Sequence, residues 1–124
     1  MDNTLKITKE QVQGNVHITV LHLRGRLDMN GEELLIATAR GCYEEGSSFL
    51  LIDLAQVETL TSAGIRAMQK VFKIFTPAEE RSKMTRVKLC NAPPQVHSIL
   101  GITGFLLTIQ NFDSMQQAIT SFTE

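Results

Sequence analysis

The sequence predicts a single α/β domain over residues 1–124, with a mixed, mostly parallel sheet of four to five strands flanked by about four helices. Three observations carry that expectation. Two strand-like segments at the start are separated by Gly14-Asn15, a hairpin signal. Beyond them, short apolar runs alternate with segments whose apolar residues recur at helical spacing. The run Phe49 to Leu54, interrupted only by Asp53, has the pattern of a strand buried on both faces, as parallel sheets require. The predicted order is β-β-α-β-α-β-α-β-α, with right-handed crossovers after the hairpin.

Taken in order, Leu5 to Val12 alternates weakly and reads as an edge strand. Val16 to Leu23 is rich in branched residues, and Gly25 is expected to close that second strand. Asn30 looks like a helix cap, with Glu33 three residues on able to reach back to it. Leu34, Leu35, Thr38, Ala39 and Cys42 follow at helical spacing, and Gly46 marks the stop. After the Phe49 to Leu54 strand comes a short polar connection, then a helix from about Ser62 to Phe75 with the stripe Ile65, Met68, Phe72 and Phe75. Pro77 ends it. The polar stretch 76–86 reads as an exposed loop or a frayed turn, longer than a compact domain needs. Arg86 to Asn91 is the next strand, and Pro93-Pro94 suits the first turn of a short helix holding Val96, Ile99 and Leu100. Leu106 to Ile109 is read as the last strand. Asp113 or Ser114 then caps a helix striped by Phe112, Met115, Ile119 and Phe122.

Composition narrows the function. Hydrophobic residues make up 43 % and charged residues 20 %, which describes a globular chain with a core of its own. A formal net charge of -1 gives no argument for nucleic acid or for an anionic membrane. No apolar stretch approaches the ~18 residues that span a bilayer, and the opening residues lack the basic and apolar regions of a secretory signal. Cys42 and Cys90 have no metal-like spacing and read as buried thiols in a reducing compartment. The expectation is therefore a cytoplasmic protein without direct membrane insertion.

Catalytic motifs are scarce. There is no GxSxG turn, no GxxxxGK loop and no GxGxxG. His17, His22 and His97 have no metal-like pairing; His17 and His22, five apart on one strand, face opposite ways. We read all three as structural or solvated, and expect no enzyme activity, no cofactor and no metal. What stands out is Thr61-Ser62-Ala63-Gly64, where a small-residue turn opens the second helix. A hydroxyl there sits among unpaired N–H groups at the positive end of the helix dipole, a place suited to a phosphate on serine. Ser62 or Thr61 acting as a plain cap is the simpler reading of the same residues.

These residues resemble a known family. Gly25 to Asn30 (GRLDMN), Leu50 to Met68 (LLIDLAQVETLTSAGIRAM), Val87 to Phe105 (VKLCNAPPQVHSILGITGF) and the closing LLTIQNFDSMQQAI are similar, in the same order, to segments of the STAS domain. STAS domains are the modules of bacterial anti-sigma factor antagonists and of the cytoplasmic ends of sulfate transporters. The resemblance implies a regulatory binding protein controlling transcription by partner switching. A serine at the start of the second helix would be phosphorylated by an anti-sigma factor serine kinase and restored by a metal-dependent serine phosphatase. The match puts that serine at Ser62, with Thr61 as second choice, where antagonists commonly carry Asp. The implied partner surface is Asp28, Thr61, Ser62, Ala63, Gly64 and Arg66. Arg66, four residues after Ser62, is a candidate partner for the phosphate, and Gly64 is expected to allow close helix-to-sheet approach. Two alternatives stay open: a cytoplasmic STAS subunit of a membrane lipid transporter, and a module sensing a small ligand such as a nucleotide, neither needing phosphorylation. A weak homodimer through the edge strand is also open.

Overall fold

The computed structural model describes residues 3–123. A hairpin opens the chain: β1 (Lys6–Gln13) pairs antiparallel with β2 (His17–Leu27), from Lys6 opposite Arg24 to Gln13 opposite His17. The remaining strands, β3 (Leu50–Leu60), β4 (Val87–Cys90) and β5 (Gln110–Phe112), add in parallel, giving the order β1-β2-β3-β4-β5. The connecting helices are α1 (Met29–Glu44), α2 (Ser62–Phe75) and α3 (Pro94–Ile102), and α4 (Met115–Ser121) closes the chain. The five strands, four helices and their order are those expected from the sequence.

The two faces of the sheet carry separate cores. Buried residues of α1, α2 and α3 pack on one face with Leu21, Leu23, Ile52 and Leu89. Ala118 of α4 and Phe122 just after it are buried on the other with Ile18, Val20, Leu51 and Cys90. Strand alternation explains the division, since neighbouring residues of β2 and β3 point to opposite sides. The expected stripe of α2, Ile65, Met68, Phe72 and Phe75, is buried in full. Cys42 and Cys90 are buried free thiols. Burial, then the charge of Asp53, pushes Cys90 up to about 12, so it is held as the thiol.

Several boundaries differ from expectation, each for a physical reason. Strand β3 does not give way to a polar connection after Leu54 but runs on to Leu60. Beyond Asp53 it has left β4 and pairs only with β2, so one edge is open to solvent and polar residues are tolerated there. Only Val57 and Leu60 of that extension are buried. Gly25 does not close β2: it lies within the strand at φ +101, where the register to β3 shifts, and the Asn3 carbonyl lies against it. The cap of α1 is Asp28, not Asn30; its Oδ1 accepts from the N–H groups of Asn30 at 3.0 Å and Gly31 at 3.3 Å. The last strand is Gln110–Phe112, while Phe105–Leu107 forms a 3-10 turn. Ser114, rather than Asp113, caps α4 by accepting from Gln117. In the stretch 76–86 a 3-10 turn at Ala78–Glu80 is tied down by a two-pronged Arg86–Glu80 pair, both bonds 3.1 Å.

Two polar devices on the sheet were not legible in the sequence. Lys88, only 5 % exposed in the middle of β4, donates to the Ser121 carbonyl and hydroxyl at the end of α4 and lies over the rings of Phe122 and Phe112. It pins the last helix through carbonyl and ring contacts, at the cost of desolvation that pushes its pKa down. His22 was expected to be structural or solvated. It is structural: its ring bridges three strands, with Nδ1 2.7 Å from Asp53 on β3 and Nε2 2.7 Å from Glu10 on β1. Asp53 is held in turn by Asn91 and the Ala55 N–H. His17 instead meets Gln11 at the exposed edge.

Helix α2 crosses the sheet end at close range. A Cβ on Gly64 would run into the Leu27 carbonyl oxygen and stand 2.8 Å from Leu27 Cγ and from Leu60 Cδ1. Gly64→Ala therefore forces backbone apart, and should lower unfolding free energy by about 3 kcal/mol in denaturant titration; a loss within experimental error would show that the helix slides away freely. For His22, burial pulls the pKa down, but the hydrogen bonds and charges of Glu10 and Asp53 outweigh it, and the net shift is upward from 6.5. A folded pKa above the unfolded one means stability that is full below about pH 6.5 and lost as pH rises through the folded value. The stability gap between wild type and His22→Gln should thus shrink as pH rises from about 6.5 through the folded value. A gap that stays level over that range would mean the ring holds no extra proton in the folded state.

Candidate functional site

The rim of the sheet where β2 feeds α1 and β3 feeds α2 gathers the residues singled out in the sequence. Leu60 ends β3 buried, and Thr61 follows in extended conformation, φ -115 and ψ 176. Its N–H donates to the Leu27 carbonyl at 3.2 Å, tying the start of α2 to the end of β2. Its own carbonyl accepts from Ile65 at 3.0 Å, the first turn of the helix. Thr61 is thus the backbone cap, but its hydroxyl caps nothing. The Oγ1 is buried and has no hydrogen-bond partner among the described residues.

Ser62, the first residue of α2, is exposed. The N–H groups of this first turn lack a side-chain acceptor, and α2 carries no acidic residue there. The neutral, uncapped end therefore presents its partial positive charge to solvent beside the Ser62 hydroxyl. Ala63 and Gly64 turn inward and are buried against the sheet, so they set the approach of the helix. Arg66, one turn along, is exposed. Asp28 lies across the same rim, half-buried, its carboxylate engaged in capping α1. Next to it Met29 is 73 % exposed, an apolar side chain in water.

Arg66 is already paired in this structure. Its Nε is 2.9 Å and its Nη2 3.2 Å from the two carboxylate oxygens of Glu32 in the first turn of α1. Lys70 Nζ lies 3.8 Å from the same carboxylate. The Arg66 hydrogen bond holds Glu32 below the usual carboxylate range, working against desolvation. Sequence reasoning missed Glu32, because 34 residues separate it from Arg66 and only the packing of α1 on α2 brings them together. Among the described residues no group of three or more His, Cys, Asp or Glu side chains is placed to hold a metal ion. None of the described helices is long and apolar enough to cross a membrane.

Known proteins share this chain's pattern and shape. The protein BtrV of Bordetella bronchiseptica, whose assigned role is anti-sigma factor antagonist, is 25 % identical over 118 residues, 95 % of each chain. An anti-sigma factor antagonist from Mycobacterium paratuberculosis has a similar structure, with a TM-score of 0.81 at 20 % identity over 98 % of this chain and 96 % of that one. The anti-sigma factor antagonist SpoIIAA is similar in its unphosphorylated form, with a TM-score of 0.70 at 17 % identity over 92 % of this chain and 93 % of that one. Its phosphorylated form, at 16 % identity and 92 % and 96 % coverage, gives 0.64. The sequence pattern of the STAS domain matches residues 9–118. On that match, across nearly the whole chain, the protein belongs to the STAS domain family.

Proposed function

We propose that this chain is an anti-sigma factor antagonist, a cytoplasmic binding protein switched by reversible phosphorylation of Ser62. The single observation that carries the reading is the position of Ser62: an exposed hydroxyl as the first residue of α2, on an uncapped, cation-like helix end. An incoming kinase finds that oxygen open, whereas the Thr61 oxygen beside it is buried. This favours Ser62 over Thr61 as the acceptor. The relatives named above supply the class of partner: a protein that binds a sigma factor and is itself bound by the antagonist.

The switch follows from electrostatics. Before modification, the rim offers a neutral hydroxyl on α2 and the exposed Met29 at the start of α1, groups on which a partner can close without stranding a charge. Phosphate adds about -1.5 to -2 charges at neutral pH. The uncapped N–H groups of α2 accept that charge without any change of fold. A docked partner surface that fitted the hydroxyl then meets a solvated dianion, and the complex separates. A serine phosphatase returns the surface to its first state.

The test is to incubate the protein with its partner kinase and ATP and locate phosphate by mass spectrometry. One phosphate on Ser62 is expected, and none on the Ser62→Ala variant. Ser62→Asp should weaken kinase binding by at least about tenfold, or 1.4 kcal/mol, whereas Ser62→Ala should bind but never be released. A kinase that is active on another antagonist yet modifies neither Ser62 nor Thr61 would overturn the proposal.

A further inference from the structure

We propose that Arg66 is a shared cation: it serves Glu32 while Ser62 is unmodified and moves to the phosphate when Ser62 is phosphorylated, leaving Glu32 to Lys70. This rests on the reading of Ser62 above and adds a route by which modification of α2 is felt in α1.

Three features place the exchange within reach. Residues four apart on a helix are neighbours, about 5–6 Å between Cβ atoms. Helical side chains lean toward the N-terminus, so Arg66 covers the turn that begins at Ser62. Both residues are exposed, so the guanidinium swings through solvent and displaces no packed group.

Charge decides the direction. In the present state the Nε and Nη2 donors of Arg66 face one carboxylate bearing a single charge. A phosphoserine offers up to twice that charge and three acceptor oxygens, at a helix end whose N–H groups already favour an anion. Planar guanidinium donors match phosphate as well as they match carboxylate. Glu32, with only 14 % of its side chain exposed, is not abandoned, because Lys70 stands 3.8 Å away on the next turn of α2. One ammonium contact replaces a two-pronged bond, so the tie between α1 and α2 loosens without breaking.

The experiment uses the full chain with phosphoserine installed at position 62 during biosynthesis, which removes any dependence on a kinase. Nitrogen-15 spectra of the arginine side chain are recorded with phosphorus coupling, and the Glu32 carboxyl carbon is titrated. The expected result is a scalar coupling between phosphorus and an Arg66 side-chain nitrogen. The rise in the Glu32 midpoint on phosphorylation should also be larger in wild type than in Arg66→Ala, where only through-space repulsion remains. A second variant, Arg66→Lys, should lose the coupling while keeping the charge. An Arg66 Nε–H that stays on Glu32 with no coupling to phosphorus, or equal Glu32 rises in wild type and Arg66→Ala, would overturn the exchange. Either result leaves the kinase reading standing, since that reading is judged by where a kinase puts phosphate.

Discussion

The site depends on one close contact, the seating of α2 against the carbonyl of Leu27. That oxygen accepts from the Thr61 N–H, and the residue three further on has to be glycine because the backbone leaves no space for a Cβ. The contact fixes where the first turn of α2 stands relative to the end of β2. It thereby fixes the spacing of the two turns on that rim, one carrying Asp28 and Met29, the other Thr61 and Ser62. A looser crossing would allow α2 to rock, and the exposed serine would have no defined neighbours. The function proposed for this rim needs a rigid base, and a backbone hydrogen bond beside a missing side chain provides it.

The same logic separates the two faces of the sheet. The face under α1, α2 and α3 carries the larger apolar cluster, so the helices there are held by burial. The other face has only the short helix α4, of seven residues, which cannot cover five strands. Its uncovered part is polar, with Glu10, His22 and Asp53 linked by hydrogen bonds across β1, β2 and β3. The bridging ring ties the exposed edge strand, through Glu10, to β2 and β3. Lys88 does the comparable work for α4, reaching from the central part of the sheet to the end of that helix. Both are polar links in positions where area alone is short.

Element identity was legible in the sequence because local patterns and tertiary burial agree along most of the chain. The stripe of α2 reads correctly since the helix buries one side and nothing else competes. The boundaries failed where a tertiary partner changes the rule. Ala55 to Thr59 looks like a connection because it is polar, yet it is a strand whose outer neighbour has ended. Asn30 looks like a cap because Glu33 follows at the right spacing, but Asp28 has the carboxylate two residues before the first free N–H groups and takes the position. Leu106 to Ile109 is apolar enough for a strand, but Gly104 in a left-handed conformation turns the chain into a 3-10 segment first. At the site, Ser62, Thr61 and Gly64 were visible as a local motif. The partner of Arg66 was not, because no local rule links α1 to α2.

In the proposed function, a rigid rim also explains how a single side chain would carry a switch. The first turn of α2 has unpaired N–H groups and no acidic residue, and the one hydroxyl able to cap it, that of Thr61, is turned inward and unbonded. An Asp at that position would supply its own acceptor to these N–H groups. With Thr61 mute, the helix end retains its affinity for negative charge. The helix end therefore keeps an unmet electrostatic demand facing solvent, which a phosphate on Ser62, as proposed, would meet locally. On that reading the folding free energy of the domain would change little between the two states, while the surface seen by a partner would change by nearly two charges. Separating those two quantities is what allows a binding module to alternate between partners without unfolding.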